Sequence, residues 1–377
     1  MAVHAAAANP ASCGGTSLQP DTTSGGPFVA ELLLLGVTHY PPLALRDEDM
    51  AGIHRRLIAD PAVPATERDP ANWPPEQQAE WGDDEARSSA AAHRSRLLAG
   101  FAKVRAELEA FQPDCVLIWG DDQYENFRED LIPPFALLAY DNVEAKPFAK
   151  RSTPNAWGEG PETSFAVAGK PELARWLAKE LLEDDIDVAY AYKPLHHPDL
   201  AHAFLNALLF LDYHREGFPW PVVAMPINCY GTRVISARGT WNPFGTEVMD
   251  DPPAPSPRRL MTVGGAVARA LRRSPWRVAL LASSSWSHAF LTDHTWRLRP
   301  DTPADLRLYD ALASGDLSVW ADTPLDSVVH GGQQEVLNWF ALMGAVRELG
   351  GGPPDWSEFV QTWCFNSNKV FASWGVR

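Results

Sequence analysis

Along this chain, uninterrupted apolar runs alternate with stretches in which apolar residues recur every three or four positions. Glu31-Leu-Leu-Leu-Leu-Gly-Val37, Cys115-Val-Leu-Ile-Trp119, Pro221-Val-Val-Ala-Met-Pro-Ile227 and Arg277-Val-Ala-Leu-Leu-Ala282 have no polar alternation, the pattern of strands buried on both faces. Ile132–Tyr140 reads as an edge strand and Ile186–Tyr192 as a short one. Between Asp84 and Phe111, the residues Leu97, Leu98, Phe101, Val104, Leu108 and Phe111 fall at helical spacing, which predicts a long amphipathic helix. Leu173–Glu183, Leu260–Arg272 and Glu335–Ala345 follow the same period. Helix handing over to buried strand, as Gln112-Pro-Asp114 does, is the unit of an α/β fold. The expected architecture is one α/β domain over residues 28–377, with a central, mostly parallel or mixed sheet flanked by helices. Residues 1–27, rich in Ala, Ser, Thr and Gly, read as a disordered tail. Residues 44–81, charged and proline-bearing, read as an excursion over the surface. No internal repeat or interdomain linker is visible.

Composition narrows the function classes. The 377 residues are 45% hydrophobic and 21% charged, with a formal charge of -16. Such acidity argues against nucleic acid or an anionic membrane as partner, since both require a basic surface. The apolar run from Phe28 to Val37 is interrupted by Glu31 and is too short to span a bilayer. Cys13, Cys115, Cys229 and Cys364 are far apart with no CxxC spacing, so a cytoplasmic setting is expected rather than a disulfide framework. Of the 15 tryptophans, Trp119, Trp241, Trp286 and Trp339 lie beside polar residues. Each could line an aromatic pocket or fill the core.

The candidate chemistry gathers where the apolar runs end. Gly36-Val-Thr-His39 follows the first run, Gly-Asp-Asp-Gln-Tyr-Glu125 the second, and Ser283-Ser-Ser-Trp-Ser-His288 the fourth, while Glu335 opens a helix. In open α/β sheets, ligands bind in the crevice beyond the carboxyl ends of the strands, so the active site is expected there. The oxygen-bearing group Asp121, Asp122, Gln123 and Glu125 could hold a metal, bind a polar substrate or cap a helix. A His with a carboxylate and one further donor is the facial arrangement of non-haem Fe(II) oxygenases. His196, His197 and His202 lie together in a turn-rich segment, with ordinary polar packing the default for at least two of them.

In sequence order, Gly36-Val-Thr-His39, Pro113-Asp-Cys-Val-Leu-Ile-Trp-Gly-Asp-Asp122, Ser285-Trp-Ser-His288 and Glu335-Val-Leu-Asn-Trp-Phe-Ala-Leu-Met-Gly-Ala345 resemble the class III extradiol ring-cleaving dioxygenases, the superfamily of the protocatechuate 4,5-dioxygenase β subunit. The Gly-Asp-Asp-Gln-Tyr-Glu-Asn-Phe form is most similar to the 3-O-methylgallate dioxygenase branch. The resemblance implies Fe(II) as cofactor, with His39 and Glu335 as ligands, His288 as the acid/base histidine and His202 as a second active-site histidine. It departs at the second histidine ligand, where Gln123 stands; Gln123, Asp122 or Glu125 is expected to complete the metal site. Asp122, Tyr124 and Trp286 are the expected substrate-binding residues.

The implied activity is extradiol opening of a catecholic or gallate-like ring with O2, both oxygen atoms entering the product. The implied partners are thus a small aromatic substrate and O2, and a homo-oligomer is compatible with them. Two other readings use the same pocket: a signalling or binding member of the fold superfamily, and a metal-dependent hydrolase.

Overall fold

Four apolar runs form the parallel centre of one sheet because nothing in them could face water. The computed structural model describes residues 29–149, 153–238, 242–246 and 251–377; the expected tail, residues 1–27, and Trp241 lie outside them. The strands are β1 Leu32–Val37, β2 Cys115–Asp121, β3 Ala136–Leu138, β4 Val143–Ala145, β5 Phe165–Val167, β6 Ala189–Ala191, β7 Val222–Ile227, β8 Val278–Ser283, β9 Trp356–Val360 and β10 Lys369–Val376. The 8-stranded sheet runs β6-β3-β7-β2-β8-β1-β10-β9, while β4 and β5 pair separately. β7, β2, β8 and β1 are mutually parallel, whereas β10 joins β1 and β9 in antiparallel fashion.

The helices are α1 Gly52–Ile58, α2 Ala65–Arg68, α3 Pro75–Trp81, α4 Arg87–Phe111, α5 Pro171–Glu183, α6 His202–Leu211, α7 Val234–Ala237, α8 Pro257–Leu271, α9 Thr302–Ser314, α10 Leu317–Asp322, α11 Leu325–His330 and α12 Leu337–Glu348. They cover both faces of the sheet. Cys115, Leu117 and Trp119 of β2 share one core with Leu260 and Val263 of α8 and Phe340 and Leu342 of α12. Val116 and Ile118 share the other with Phe101 and Leu108 of α4 and Phe204 and Leu208 of α6. Strand alternation thus feeds two cores. Among the described residues, no helix is long and apolar enough to cross a membrane.

The structure differs from these expectations at several places. Ile132–Tyr140 was read as an edge strand, but β3 lies between β6 and β7, and β6 is the edge. β2 continues past Trp119 through Gly120 to Asp121. The missing side chain of Gly120 admits α6, since a Cβ there would lie 3.0 Å from the Phe204 ring and 3.1 Å from Ala203. The C-terminal strands β9 and β10 were not anticipated, although β10 is buried over most of its length beside β1. The excursion over residues 44–81 is also tied into the main cores, Trp73 and Trp81 to one and Leu57 and Val63 to the other; His54, Trp73 and Trp81 are buried, with ring centroids 5.1–5.6 Å apart in edge-on contact.

Candidate metal centre

Strand register decides which residue of the acidic cluster faces the centre. Because β2 runs to Asp121, that residue extends the row Cys115, Leu117, Trp119, while Asp122 turns the other way. Asp122 then spends its carboxylate on the following turn, accepting hydrogen bonds from the backbone N–H of Glu125 at 3.0 Å and Asn126 at 2.8 Å. Asp121 is fully buried, and its Oδ1 lies 3.6 Å from His39 Nε2.

His39 stands just beyond β1. Its Nδ1 lies 3.1 Å from the carbonyl oxygen of Ser283 at the end of β8. A carbonyl only accepts, so Nδ1 carries the proton and Nε2 keeps its lone pair for the centre. Glu335, in a short 3-10 turn leading into α12, places Oε2 3.2 Å from the same Nε2. Asp121 Oδ1 and Glu335 Oε2 are both buried without a hydrogen-bond partner. Two orphaned carboxylate oxygens aimed at one imidazole nitrogen are a cation cradle: burial of such oxygens is costly unless a cation or donor compensates.

Gln123 departs from its expected role. Its side-chain Nε2 donates toward Asp121 Oδ2 at 2.9 Å, Glu335 Oε1 at 3.1 Å and the Tyr230 hydroxyl at 2.8 Å. Facing two carboxylates, the amide presents its NH2 rather than its oxygen, so Gln123 clamps the carboxylates. Tyr230 completes the clamp by donating to Glu335 Oε1 at 2.9 Å. The same Oε1 lies 3.3 Å from His288 Nε2.

His202 opens α6. Glu125 accepts its backbone N–H at 3.1 Å and holds its Nδ1 at 2.7 Å, which caps the helix and fixes the ring. That ring meets His39 edge-on at 5.0 Å between centroids, and ligand atoms of His39, Asp121 and His202 lie within 4.8 Å of one another. His202 remains 24% exposed at its side chain, whereas His39, His288 and Glu335 are buried; access is from the His202 side. His196 and His197 pair with Asp130 and Asp199 at 2.7 and 2.8 Å, ordinary polar contacts away from the cradle.

Electrostatics separate the two carboxylates. Burial and the neighbouring Glu335 push Asp121 up to about 6. Burial also opposes ionisation of Glu335, yet the imidazoles of His288 and His39 outweigh it and hold that carboxyl well below its usual range. Burial lowers His288, against the pull of Glu335. For His202, burial is overcome by Glu125, and its pKa rises to about 10.

Two expected substrate-binding residues are placed elsewhere. Trp286 has 0% exposure and lies in the core, edge-on to Trp339 at 5.5 Å and Trp320 at 6.0 Å. Tyr124, with φ of 61°, turns its ring to the guanidinium groups of Arg128 and Arg238 at 5.5 and 5.3 Å. The structure thus brings together His39, Asp121, Gln123, Glu125, His202, His288 and Glu335 and adds Tyr230. Alternation along β2, carried one pair beyond Trp119, is the signal that would have singled out Asp121.

No family model matches the sequence. The chain is similar to curated enzymes named 2,3-dihydroxyphenylpropionate/2,3-dihydroxicinnamic acid 1,2-dioxygenase. It is 28% identical over 187 residues to that of Paraburkholderia xenovorans strain LB400, covering 50% of this chain and 47% of the relative. It is 27% identical over 184 residues to one from Pseudomonas putida, covering 49% and 46%, and 29% identical over 184 residues to that of Burkholderia vietnamiensis strain G4, again covering 49% and 46%. The chain spans about half the length of the curated relatives it matches. These relatives are extradiol dioxygenases, and the similarity is consistent with an extradiol dioxygenase superfamily.

Proposed function

We propose that this protein is an Fe(II)-dependent extradiol dioxygenase that opens a vicinally dihydroxylated aromatic ring, of the catechol, gallate or dihydroxyphenylpropionate type. The reading is carried by the pair of orphaned oxygens, Asp121 Oδ1 and Glu335 Oε2, aimed at His39 Nε2. In it, these three atoms hold the metal, one nitrogen and two hard oxygens suiting a first-row divalent ion. When bound, the iron supplies the redox chemistry by which a diphenolic ring reacts with O2.

The chain's own part is orientation and proton handling. Gln123 and Tyr230 fix the carboxylates from behind, so the cradle is formed before anything enters it. Glu125 occupies His202 Nδ1 and leaves Nε2, on the accessible side, to exchange a proton with a substrate hydroxyl. His288 Nε2, kept toward neutrality by burial, takes or returns a proton beside Glu335. The carboxylate-rich cradle also suits a divalent cation charge that would relieve the Asp121–Glu335 repulsion.

The test is to load the protein with Fe(II) without oxygen, count bound iron, and follow O2 uptake with catechol, gallate, 3-O-methylgallate and 2,3-dihydroxyphenylpropionate. Stoichiometric iron and one O2 consumed per ring opened are expected. Iron binding with no uptake on any diphenol would defeat the dioxygenase reading, and ester hydrolysis by the loaded protein would replace it with the hydrolase one.

A further inference from the structure

We propose that Asp305 is a positioning residue that holds the segments bearing His288 and Glu335 at their working separation. The proposal rests on the roles given above to those two side chains. Asp305, on α9, is wholly buried, and no Lys or Arg pairs with it among the described residues. Its carboxylate instead collects donors from three segments. The backbone N–H of Ser287 lies 3.1 Å from each oxygen. Gln333 Nε2 donates to Oδ1 at 2.7 Å, and Asn368 Nδ2 to Oδ2 at 2.8 Å.

Ser287 precedes His288, and Gln333 lies two residues before Glu335. The same segments are cross-tied by the His288 N–H donating to the Gly332 carbonyl at 2.8 Å and the Ser287 hydroxyl to that of Gly331 at 2.6 Å. The third strut, Asn368, also accepts the Thr362 N–H at 3.0 Å; its carbonyl receives the Trp286 N–H at 2.9 Å. Asp305 is therefore the junction from which both sides of the 3.3 Å His288–Glu335 contact are hung.

A carboxylate is the one side chain here that can accept from all three donors at once, since an amide gives up one acceptor for a donor. Burial pushes its pKa up to about 7, and the bonds from Gln333, Asn368 and Ser287 offset this only in part. A neutral, well-packed residue would serve a purely architectural role without burying a charge. Loss of a group that orients ligands costs roughly 10–100-fold in metal affinity or activity.

The experiment compares wild type, Asp305→Asn, and the swap Asp305→Asn with Gln333→Glu, in which the carboxylate and amide exchange places. Fe(II) and Co(II) dissociation constants are measured anaerobically well below each variant's Tm, with kcat and KM for a diphenol. Asp305→Asn should weaken metal binding and lower kcat by about 10–100-fold, leave KM nearly unchanged, and be partly rescued by the swap. A lower Tm with wild-type metal affinity and kcat would reduce Asp305 to a structural strut and overturn the proposal. Should Asp305→Asn fail to fold, Gln333→Met removes one donor only: weaker metal binding there supports the proposal, and unchanged binding overturns it. The metal-affinity arm holds even if no diphenol is turned over, so failure of the dioxygenase reading is read separately.

Discussion

At the scale of single residues, the proposed centre turns on Gln123 presenting its amide nitrogen, not its oxygen, to Asp121 and Glu335. An amide nitrogen 2.9 Å from one carboxylate and 3.1 Å from another is a donor, and what it donates to is left free to bind a cation with its other oxygen. Asp121→Asn and Glu335→Gln should therefore abolish stoichiometric iron binding, whereas Gln123→Ala should weaken it by about 10–100-fold, the usual effect of losing an orienting partner. Anaerobic titration with Fe(II) decides the order. Iron retained in Asp121→Asn but lost in Gln123→Ala would restore the amide as ligand.

The histidines divide differently. His202 has its Nδ1 taken by Glu125, and His288 faces an oxygen of Glu335 that is already clamped. His202→Gln and His288→Phe should keep iron and lose turnover by about 10²–10⁴-fold, as removal of a general acid or base does. Loss of iron from His202→Gln would instead place it with His39 and Asp121 as a third ligand, a grouping the distances also allow.

Between elements, α8 and α12 cross closely through glycines on both helices. A Cβ on Gly264 would lie 1.8 Å from the Ala341 carbonyl oxygen, and one on Gly344 2.0 Å from that of Met261; backbone cannot yield as a side chain can. Gly264→Ala should cost about 1–3 kcal/mol, the range for overpacking, and because α12 follows directly from the Glu335 turn it should weaken metal binding too. Gly265→Ala is the control. Its Cβ would meet nothing nearer than 3.4 Å, so better helix propensity should leave Tm unchanged or higher. Equal losses of Tm in both variants would show that the crossing is not what restricts Gly264.

The segment over residues 44–81 carries a pH prediction. Burial, reinforced by the charge of Arg55, lowers His54 to about 3, against an ordinary value near 6.5. The unfolded chain therefore binds a proton that the folded one refuses between those values. The stability His54 contributes is full above pH 6.5 and is lost as pH falls toward 3. His54→Phe, which keeps the contact with Trp73 and Trp81, should lose less Tm between pH 7 and pH 4 than wild type does. Parallel Tm curves for the two proteins would rule out His54 as a source of acid sensitivity.

For the molecule as a whole, both cores press on one sheet, and the centre is assembled from the ends of β1, β2, β7 and β8 together with the turns before α6 and α12. No segment can leave without exposing another. Calorimetry should accordingly show one transition, and Fe(II) should raise its Tm if it binds at the proposed centre, where all these ends converge. Deleting residues 1–27 should alter neither Tm nor iron affinity. Two separated transitions, only one of them shifted by iron, would contradict this unity.

Much of this was open to reading without coordinates. Short unbroken apolar runs bounded by glycine, proline and polar residues read as strands covered on both faces, a local property, so the α/β class and the four central strands followed from the sequence alone. So did the gathering of polar residues at the run ends, and with it His39, His288 and Glu335 as candidates, whereas His202 followed only from the family resemblance. What the sequence left open depended on distance and direction between segments. Whether Asp121, Asp122, Gln123 or Glu125 faces the centre turned on β2 continuing two residues past Trp119, which the close packing of α6 on Gly120 allows. The burial of Trp286, the place of β10 beside β1, and the junction at Asp305 arise from segments tens to hundreds of residues apart. Tertiary packing alone decided these, because a side chain's partner is set by which surfaces are driven out of water together, and that is a property of the whole chain.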